Sequence, residues 1–146
     1  MALEGTYEPS PWQPIAEQVA LYESSNGAEG TELQGAPCII LWTRGRHSGT
    51  IRKSPLMRVA DGAGRYAVVA SLGGAPKHPV WYLNLTADAH VSLQDGPTLR
   101  DYTARVVEGD EKVEWWKRAT DVWPSYDEYQ TKTDRAIPLV VLDPVE

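Results

Sequence analysis

Short β-prone runs separated by glycine, proline and aspartate turns dominate the chain after residue 36, and they constrain its fold more than any other feature. The predicted strands cover residues 37–43, 50–59, 66–71, 90–94, 99–107 and 137–142. Strands joined by tight turns pair antiparallel, as the Asp61-Gly62-Ala63-Gly64 turn predicts for the two strands beside it. About six mostly antiparallel strands with helices at the ends and edges predict a mainly β, α+β fold, a small barrel rather than a parallel α/β sheet.

Helical signals interrupt the strands at three places. A short helix is predicted at residues 80–86, a longer one at 110–122 that Pro124 ends, and a short tyrosine-bearing segment at 125–131. Pro55 lies inside the predicted strand 50–59, where it removes a backbone donor. That strand is therefore expected at an edge of the sheet or at a bulge.

The first 35 residues are predicted to precede the barrel as a separate lead and amphipathic helix, with the barrel itself at residues 36–146. Residues 1–9 are expected to be a flexible lead and residues 24–35 an acidic, glycine-rich linker. Between them, Ser10 is the predicted N-cap of a helix and Pro11 its first residue. The apolar residues of this helix recur at helical spacing: Trp12, Ile15, Val19 and Tyr22.

The predicted N-terminal helix carries Glu17 and Glu23 but no lysine or arginine. Anionic lipid would repel it, so we expect its apolar stripe to pack on the barrel. A weak contact with the inner face of the cell membrane stays open at this point.

Length and composition are those of a loop-rich globular protein of 146 residues with 42% hydrophobic residues. No apolar run reaches the length of a membrane span, and the N-terminus lacks the features of a secretory signal. The single cysteine, Cys38, lies in an apolar run and is expected to be a buried thiol. These features together predict a cytoplasmic protein, either a monomer or a homodimer.

Positive charge is concentrated between residues 33 and 87. This window holds seven Lys or Arg and one acidic residue, Asp61, although the whole chain has a net charge of −6. It also contains two glycine-rich loops, at 45–49 and 71–79. Backbone N–H groups and cationic side chains in such loops suit a small anionic ligand such as a phosphate ester, and a basic face with no ligand is the equal alternative. The acidic net charge argues against a dedicated nucleic-acid binder.

Familiar catalytic motifs are missing from the sequence. The 45–49 loop has neither the spacing nor the ending of a phosphate-binding P-loop, and no dinucleotide fingerprint is present. The three histidines lack the spacing of a zinc site, so no metal is expected. No strained Gly-x-Ser-x-Gly turn supports a serine nucleophile. The pattern favours chemistry supplied by a bound cofactor.

Three segments carry a family resemblance. They read Gly45-Arg46-His47-Ser48-Gly49, then Gly73-Gly74-Ala75-Pro76-Lys77-His78-Pro79-Val80-Trp81-Tyr82-Leu83-Asn84-Leu85, and Trp123-Pro124-Ser125-Tyr126-Asp127-Glu128-Tyr129-Gln130. Together with residues 133–142 they resemble the deazaflavin-dependent nitroreductase (quinone reductase) family of actinobacteria. The second segment is long and specific, whereas Gly-Arg-x-Ser-Gly alone would be a weak signal.

This resemblance implies a split β-barrel, like that of FMN-binding proteins, which binds coenzyme F420 and uses its reduced form, F420H2. F420 is a 5-deazaflavin with a phosphate and a polyglutamyl tail, so a long anionic ligand would explain the basic window. The implied cofactor-binding residues are Arg46, His47, Ser48, Gly49, Arg52, Lys53, Ser54, Pro55, Ala70, Ser71, Leu72, Gly73, Gly74, Pro79, Val80, Trp81, Tyr82 and Asn84. Arg46, Ser48, Arg52 and Pro55 match the phosphate end, and Trp81 and Asn84 match the ring pocket.

The resemblance also implies residues for the electron acceptor. Tyr126 would lie above the deazaflavin and orient the acceptor or help deliver a proton, and Ser71 would hydrogen-bond to the acceptor oxygen. These two are the expected catalytic residues. The expected substrate-contacting residues are Met57, Trp81, Trp123, Tyr126 and Tyr129.

Three residues depart from the family pattern. His47 and Leu72 stand where many members have lysine, which would weaken tail binding or make it depend on pH. Met57 replaces an aromatic residue of the nitroimidazole-activating relative, so the preferred acceptor would differ.

The sequence therefore predicts an F420H2-dependent reductase of a quinone, a nitroaromatic compound or an α,β-unsaturated carbonyl. An FMN-dependent oxidoreductase on the same barrel and a non-catalytic F420-binding protein are the alternatives.

Overall fold

The structure, a computed structural model, describes residues 2–145. The strands are β1 (Glu32–Leu33), β2 (Ala36–Arg44), β3 (Ile51–Met57), β4 (Val59–Ala60), β5 (Tyr66–Val69), β6 (His90–Asp95), β7 (Thr98–Val107) and β8 (Leu139–Pro144). The helices are α1 (Gln13–Ser24), α2 (Val80–Ala87), α3 (Gly109–Val122) and α4 (Ser125–Thr131), with a 3₁₀ turn at Leu72–Gly74.

These strands form one antiparallel sheet in the order β1-β2-β6-β7-β8-β5-β4, and β3 pairs with β2. The sheet curls into a half-barrel flanked by the four helices, which confirms the predicted split barrel. The six longer strands correspond to the six predicted ones. The two-residue strands β1 and β4 were not predicted as separate strands, because two residues are too few to show an alternation of apolar and polar side chains. Pro55 pairs with Ile40, and β3 has β2 as its only ladder partner among the described residues, as expected of an edge strand.

The alternation of side chains along β2 decides what packs on each face of the barrel. Ile39 and Leu41 point into the barrel interior, whereas Cys38 and Ile40 point out and pack against α1. A third apolar cluster lies between the sheet and helices α3 and α4, where Trp115 is buried. Helix α1 packs on the barrel through Val19 and Tyr22, as predicted.

The N-terminal segment differs from the sequence prediction. It is not a flexible lead: Leu3 is 5% exposed and its backbone N–H donates to Ser92 Oγ at 2.9 Å. Tyr7 forms a parallel bridge with Ile51 of β3. Ser10 does not cap α1 either, because its Oγ accepts from the Trp12 N–H at 3.1 Å, and Trp12 itself is the N-cap. Trp12 is exposed rather than packed on the barrel.

The predicted linker at 24–35 contains β1, which pairs with the start of β2. The hairpin turns at Gln34 and Gly35, both with positive φ. None of the helices among the described residues has both the length and the apolar character needed to cross a bilayer.

The buried thiol of Cys38 predicts a pH dependence of stability. Burial, with a smaller contribution from Glu32, raises the pKa of Cys38 to about 11. In the unfolded chain the thiol ionises at lower pH than in the folded protein. The stability that the protonated thiol contributes is therefore fully present below the ordinary thiol pKa and is lost as the pH rises through the folded value. The free energy of unfolding should therefore fall between about pH 9 and 11 by about 3 kcal/mol on account of this group.

Urea unfolding at pH 8, 9.5 and 11 measures this loss. Burial also raises the pKa of Tyr22 and Tyr66, so these tyrosines add their own loss of stability at high pH. Cys38→Ala therefore serves as the comparison and should lose less stability with pH than the unmodified protein does. An equal loss in both proteins would show that the thiol makes no contribution.

Candidate active site

Three adjoining cavities form one groove along the open side of the half-barrel. The aromatic cavity, of about 180 Å³, is lined by Leu33, Gln34, Pro55, Leu56, Met57, Val69, Ser71, Leu72, Pro79, Trp81, Trp123, Tyr126 and Tyr129. The middle cavity, of about 460 Å³, is lined by Ser10, Pro11, Ile15, Arg52, Lys53, Ser54, Pro55, Leu56, Leu72, Pro79, Val80, Trp81 and Asn84. The cationic cavity, of about 350 Å³, is lined by Glu8, Gly45, Arg46, His47, Ser48, Arg52, Val80 and Asn84. Shared lining residues join each cavity to the next.

Four elements supply the aromatic residues of this cavity and Met57. Met57 comes from the end of β3, Trp81 from α2, Trp123 from the end of α3, and Tyr126 from α4. Two of the expected substrate-contacting residues contact each other, because Trp123 Nε1 donates to the Tyr129 hydroxyl at 3.2 Å. A cavity with aromatic walls suits a planar ligand.

Tyr126 is the most buried of the tyrosines at this cavity, with 6% of its surface exposed. Burial, and to a smaller degree Tyr129, raises the pKa of Tyr126 well above the ordinary tyrosine value. The hydroxyl therefore stays protonated through the neutral range and can donate a hydrogen bond. No hydrogen bond from it to another group was found within residues 2–145, so it is available to a ligand.

The Ser71 loop meets this cavity in an unusual backbone conformation. Leu72, Gly73 and Gly74 all have positive φ, and for leucine this conformation is strained. Gly74 also lies so close to α4 that a Cβ there would approach Tyr129 O to 2.8 Å, which makes glycine necessary. The loop and α4 are therefore packed together, and Ser71 and Tyr126 line the same cavity.

Arg135 holds the Ser71 loop in place. Its guanidinium donates to the carbonyls of Ser71 at 2.8 Å, Ala75 at 2.9 Å and Ala70 at 3.1 Å. It also contacts His78 Nδ1 at 3.1 Å, where the arginine is the donor because a guanidinium has no acceptor. Burial lowers the pKa of Arg135, yet an arginine keeps its charge. The sequence prediction missed this residue, because its role depends on a contact about sixty residues away in the chain.

The 45–49 loop is fixed to the barrel by Asn84. This buried side chain accepts from the Arg46 backbone N–H at 3.1 Å through Oδ1 and donates to Thr43 Oγ1 at 3.2 Å through Nδ2. The sequence prediction placed Asn84 in the ring pocket. Asn84 lines the middle and cationic cavities, where it orients the loop that carries Arg46, and its place beside the ring stays a prediction.

The predicted cations have unequal surroundings. Arg46 and His47 are exposed at the cationic cavity, and Arg52 lies beside them in an ion pair with Glu8 at 3.2 Å. Lys53 is different: its ammonium pairs with Glu23 at 2.6 Å and lies over the rings of Trp42 and Tyr7 at 4.0 and 4.3 Å. The charge of Lys53 is therefore already paired within the protein. Arg46 and Arg52 are the stronger candidates for binding an anionic ligand.

Five predicted cofactor residues do not line the groove: Gly49, Ala70, Gly73, Gly74 and Tyr82. Tyr82 packs against the barrel core, with its ring 4.7 Å from that of His78. The groove also contains residues that the sequence did not indicate as site residues, namely Glu8, Ser10, Pro11, Ile15, Leu33, Gln34, Leu56 and Val69. The apolar stripe of the N-terminal helix, which includes Ile15, was a signal for one of them. Gly45, from the predicted anion-binding loop 45–49, lines the groove as well.

A larger cavity of about 640 Å³ lies between α3 and α4. Its charged lining residues are Asp110, Asp127 and Lys112, a balance that disfavours an anionic ligand. It shares no lining residue with the groove, so we do not place the site there.

Replacing Arg135 with methionine should destabilise the protein, because the carbonyls of Ala70, Ser71 and Ala75 lose a charged donor. We expect the free energy of unfolding to fall by about 2–4 kcal/mol. Arg100→Met, at an exposed position of β7, is the control and should change it by less than about 0.5 kcal/mol. Equal unfolding midpoints for both variants in urea would mean that the Arg135 contacts contribute nothing.

Comparison with known proteins agrees with this geometry. Residues 15–144 match the family model described as F420H(2)-dependent quinone reductase. An F420H(2)-dependent quinone reductase of Mycobacterium tuberculosis (strain H37Rv) is 35% identical over 127 residues, 84% of this chain and 85% of that protein.

Solved structures give the same result. A solved F420-H2 dependent reductase is 51% identical, with a TM-score of 0.69, over 73% of this chain and 94% of its own. A second solved chain, described as a domain-swapped dimer, is 44% identical, with a TM-score of 0.72, over 92% of this chain and all of its own. The protein belongs to the F420H(2)-dependent quinone reductase family.

Proposed function

We propose that this protein transfers a hydride from F420H2 to an electron-poor small molecule, in the first place a quinone. The single observation that carries the proposal is the groove, which has aromatic walls at one end and arginines at the other. A ligand with a planar ring and a long anionic chain fits both ends at once. Membership of the family supports F420 over FMN as the cofactor.

The residues present fit this cofactor. The cationic cavity would take the phosphate end, with Arg46 and Arg52 as its cations and Ser48 as a hydroxyl donor. The middle cavity, with Pro55, Leu56 and Val80 on its walls, would take the linking chain. The aromatic cavity would take the part of the deazaflavin that reacts, together with the acceptor.

When bound, the reduced deazaflavin supplies the hydride, and the acceptor takes up one hydride and one proton to become a hydroquinone. The protein's task is to hold the acceptor in position and keep water away. Tyr126 is a protonated donor at this cavity, so it would orient an acceptor oxygen and polarise it. Ser71 lies on the same cavity and would provide a second hydrogen bond. Trp123 and Tyr129 would cover the acceptor.

Nitroaromatics and α,β-unsaturated carbonyls are the other acceptors that this site would accept. Met57 stands on the cavity wall with a flexible, polarisable side chain, so it can adapt to differently shaped acceptors. Leu72, 47% exposed, presents an apolar side chain where the aromatic and middle cavities meet.

Two further properties are proposals of lower rank. Exposed Trp12 and Leu21 on α1 would make a weak contact with a membrane surface, although the acidic charge of the helix works against it. A homodimer is proposed because one relative is described as a domain-swapped dimer. Vesicle co-sedimentation and light scattering would test the two separately.

The first prediction of this function concerns the cofactor. The protein should bind F420 in the micromolar range and FMN much more weakly, and rising salt should weaken F420 binding because the contacts to Arg46 and Arg52 are electrostatic. Arg46→Gln should weaken F420 binding about tenfold, equivalent to about 1.4 kcal/mol, while Arg100→Gln, far from the groove, should not. Fluorescence titration measures all of these. Equal affinity for F420 and FMN would argue against the groove as the cofactor site.

The second prediction concerns Tyr126. Tyr126→Phe keeps the ring and removes the hydroxyl, so quinone turnover should fall several-fold at unchanged F420 affinity. Tyr126→Ala should lower turnover about tenfold or more, equivalent to at least about 1.4 kcal/mol. Because Tyr126 is buried, the alanine variant should also lose about 2–4 kcal/mol of stability, which makes the phenylalanine variant the cleaner test.

Tyr102→Phe is the control for the loss of a tyrosine hydroxyl, since Tyr102 lies in the barrel core and does not line the groove. Steady-state kinetics with F420H2 and menadione compare the variants. Unchanged turnover in Tyr126→Phe would assign the residue to packing alone.

A further inference from the structure

A carboxylate occupies the cationic cavity. Glu8 lines it together with Arg46, His47 and Arg52. Glu8 Oε2 lies 3.2 Å from Arg52 Nη1, and Glu8 Oε1 accepts from Thr50 Oγ1 at 2.9 Å. An acidic group is unexpected in a cavity whose other charged groups suit an anion.

The backbone holds Glu8 there. Its N–H donates to Ile51 O at 2.9 Å, and the Ile51 N–H donates to Thr6 O at 2.8 Å. The segment therefore runs along the edge of β3, beside Arg52. A hydroxyl chain extends the contact, because Thr50 Oγ1 and Ser48 Oγ are 2.7 Å apart. Strand pairing thus fixes the backbone of Glu8, and the contacts with Arg52 and Thr50 hold its carboxylate.

A carboxylate and a phosphate compete for the same partners. Both accept from guanidinium and hydroxyl groups, and both favour the same geometry at arginine. An incoming anion would meet the negative charge of Glu8 and would find Arg52 already paired with it. The pair is partly exposed, with 28% of the Arg52 and 48% of the Glu8 side chain accessible, so it is weak enough for a ligand to displace.

We propose that Glu8 is a specificity-determining residue of the cationic cavity, whose carboxylate takes the place on Arg52 that an anionic group of the ligand would take. The identity of the ligand, F420, rests on the proposed function. The competition for Arg52 rests only on the charges that line the cationic cavity. A small anion gains too few contacts to displace Glu8. A long ligand that is also bound at Arg46 and in the aromatic cavity gains enough.

Glu8→Gln should remove the competing charge while keeping the shape of the side chain. F420 should bind about five- to tenfold more tightly, and its affinity should fall more steeply with salt because Arg52 becomes free to contact the ligand. Inorganic phosphate, titrated directly by calorimetry, should also bind more tightly to Glu8→Gln than to the unmodified protein. Glu4→Gln removes the same charge from the same segment at an exposed position outside the groove, and it should change neither affinity.

Arg52→Gln provides a second comparison. In that background Glu8→Gln should give little or no gain, since the partner for which carboxylate and ligand compete is gone. The inference would be overturned if the affinity of Glu8→Gln for F420 or phosphate were no higher than that of the unmodified protein. Glu8 would then position Arg52 rather than compete for it. An equal gain in affinity in Glu4→Gln would also overturn the inference, because the effect would then come from net charge alone.

The F420 titration and the phosphate titration together separate this inference from the proposed function. If the unmodified protein fails to bind F420 while phosphate still binds more tightly to Glu8→Gln, the proposed cofactor is wrong and the role of Glu8 stands. If F420 binds to the unmodified protein and Glu8→Gln leaves it unchanged, the cofactor stands and the role of Glu8 is wrong.

Discussion

The aromatic end of the groove depends on the contacts of Arg135 with the Ser71 loop. That loop has three consecutive residues with positive φ, one of them Leu72, and such a conformation persists only where the surroundings enforce it. Arg135 provides part of that enforcement by donating to three carbonyls of the loop, those of Ala70, Ser71 and Ala75. The close approach of Gly74 to α4 provides another part. Together they place Ser71 and Tyr126 on one cavity, which neither residue could achieve through its own strand or helix.

The cationic end follows a different principle. The buried Asn84 fixes the backbone of the 45–49 loop, so the loop is preorganised while the Arg46 side chain remains free to meet a ligand. The charges around it are partly neutralised within the protein, since Glu8 pairs with Arg52 and Glu23 with Lys53. The acidic N-terminal segment and α1 thus balance the basic window that the sequence shows. The net charge of residues 33–87 therefore overstates the positive charge that a ligand would meet.

Much of the fold could be predicted from the sequence, because turn residues and strand periodicity act locally. The six longer strands and the edge position of Pro55 follow from such signals. The role of the N-terminal segment could not be predicted, because Leu3 and Tyr7 owe their order to distant partners, Ser92 and Ile51. Strands of two residues, such as β1, leave no period to detect.

The site shows the same division. The resemblance identified Arg46, Ser71 and Tyr126, which the structure brings to one groove, because motif residues can be recognised one by one. It could not separate Lys53 from Arg52, since both are basic residues of one strand and only their packing differs. Glu8 acts through a contact with a residue far away in the chain, so no local pattern indicates it. Arg135 lies in the segment 133–142 of the resemblance, but its contacts with the Ser71 loop are also distant in the chain, so its role could not be predicted.

The central claim is that one groove holds the cofactor, with its ring at Tyr126 and its anionic end at Arg46. A crystal structure of the protein with F420 bound tests this most directly. The account predicts the deazaflavin within contact of Ser71 and Trp81, and the phosphate within hydrogen-bonding distance of Arg46 or Arg52. A deazaflavin found in the cavity between α3 and α4, against Trp116 and Val113, would contradict it.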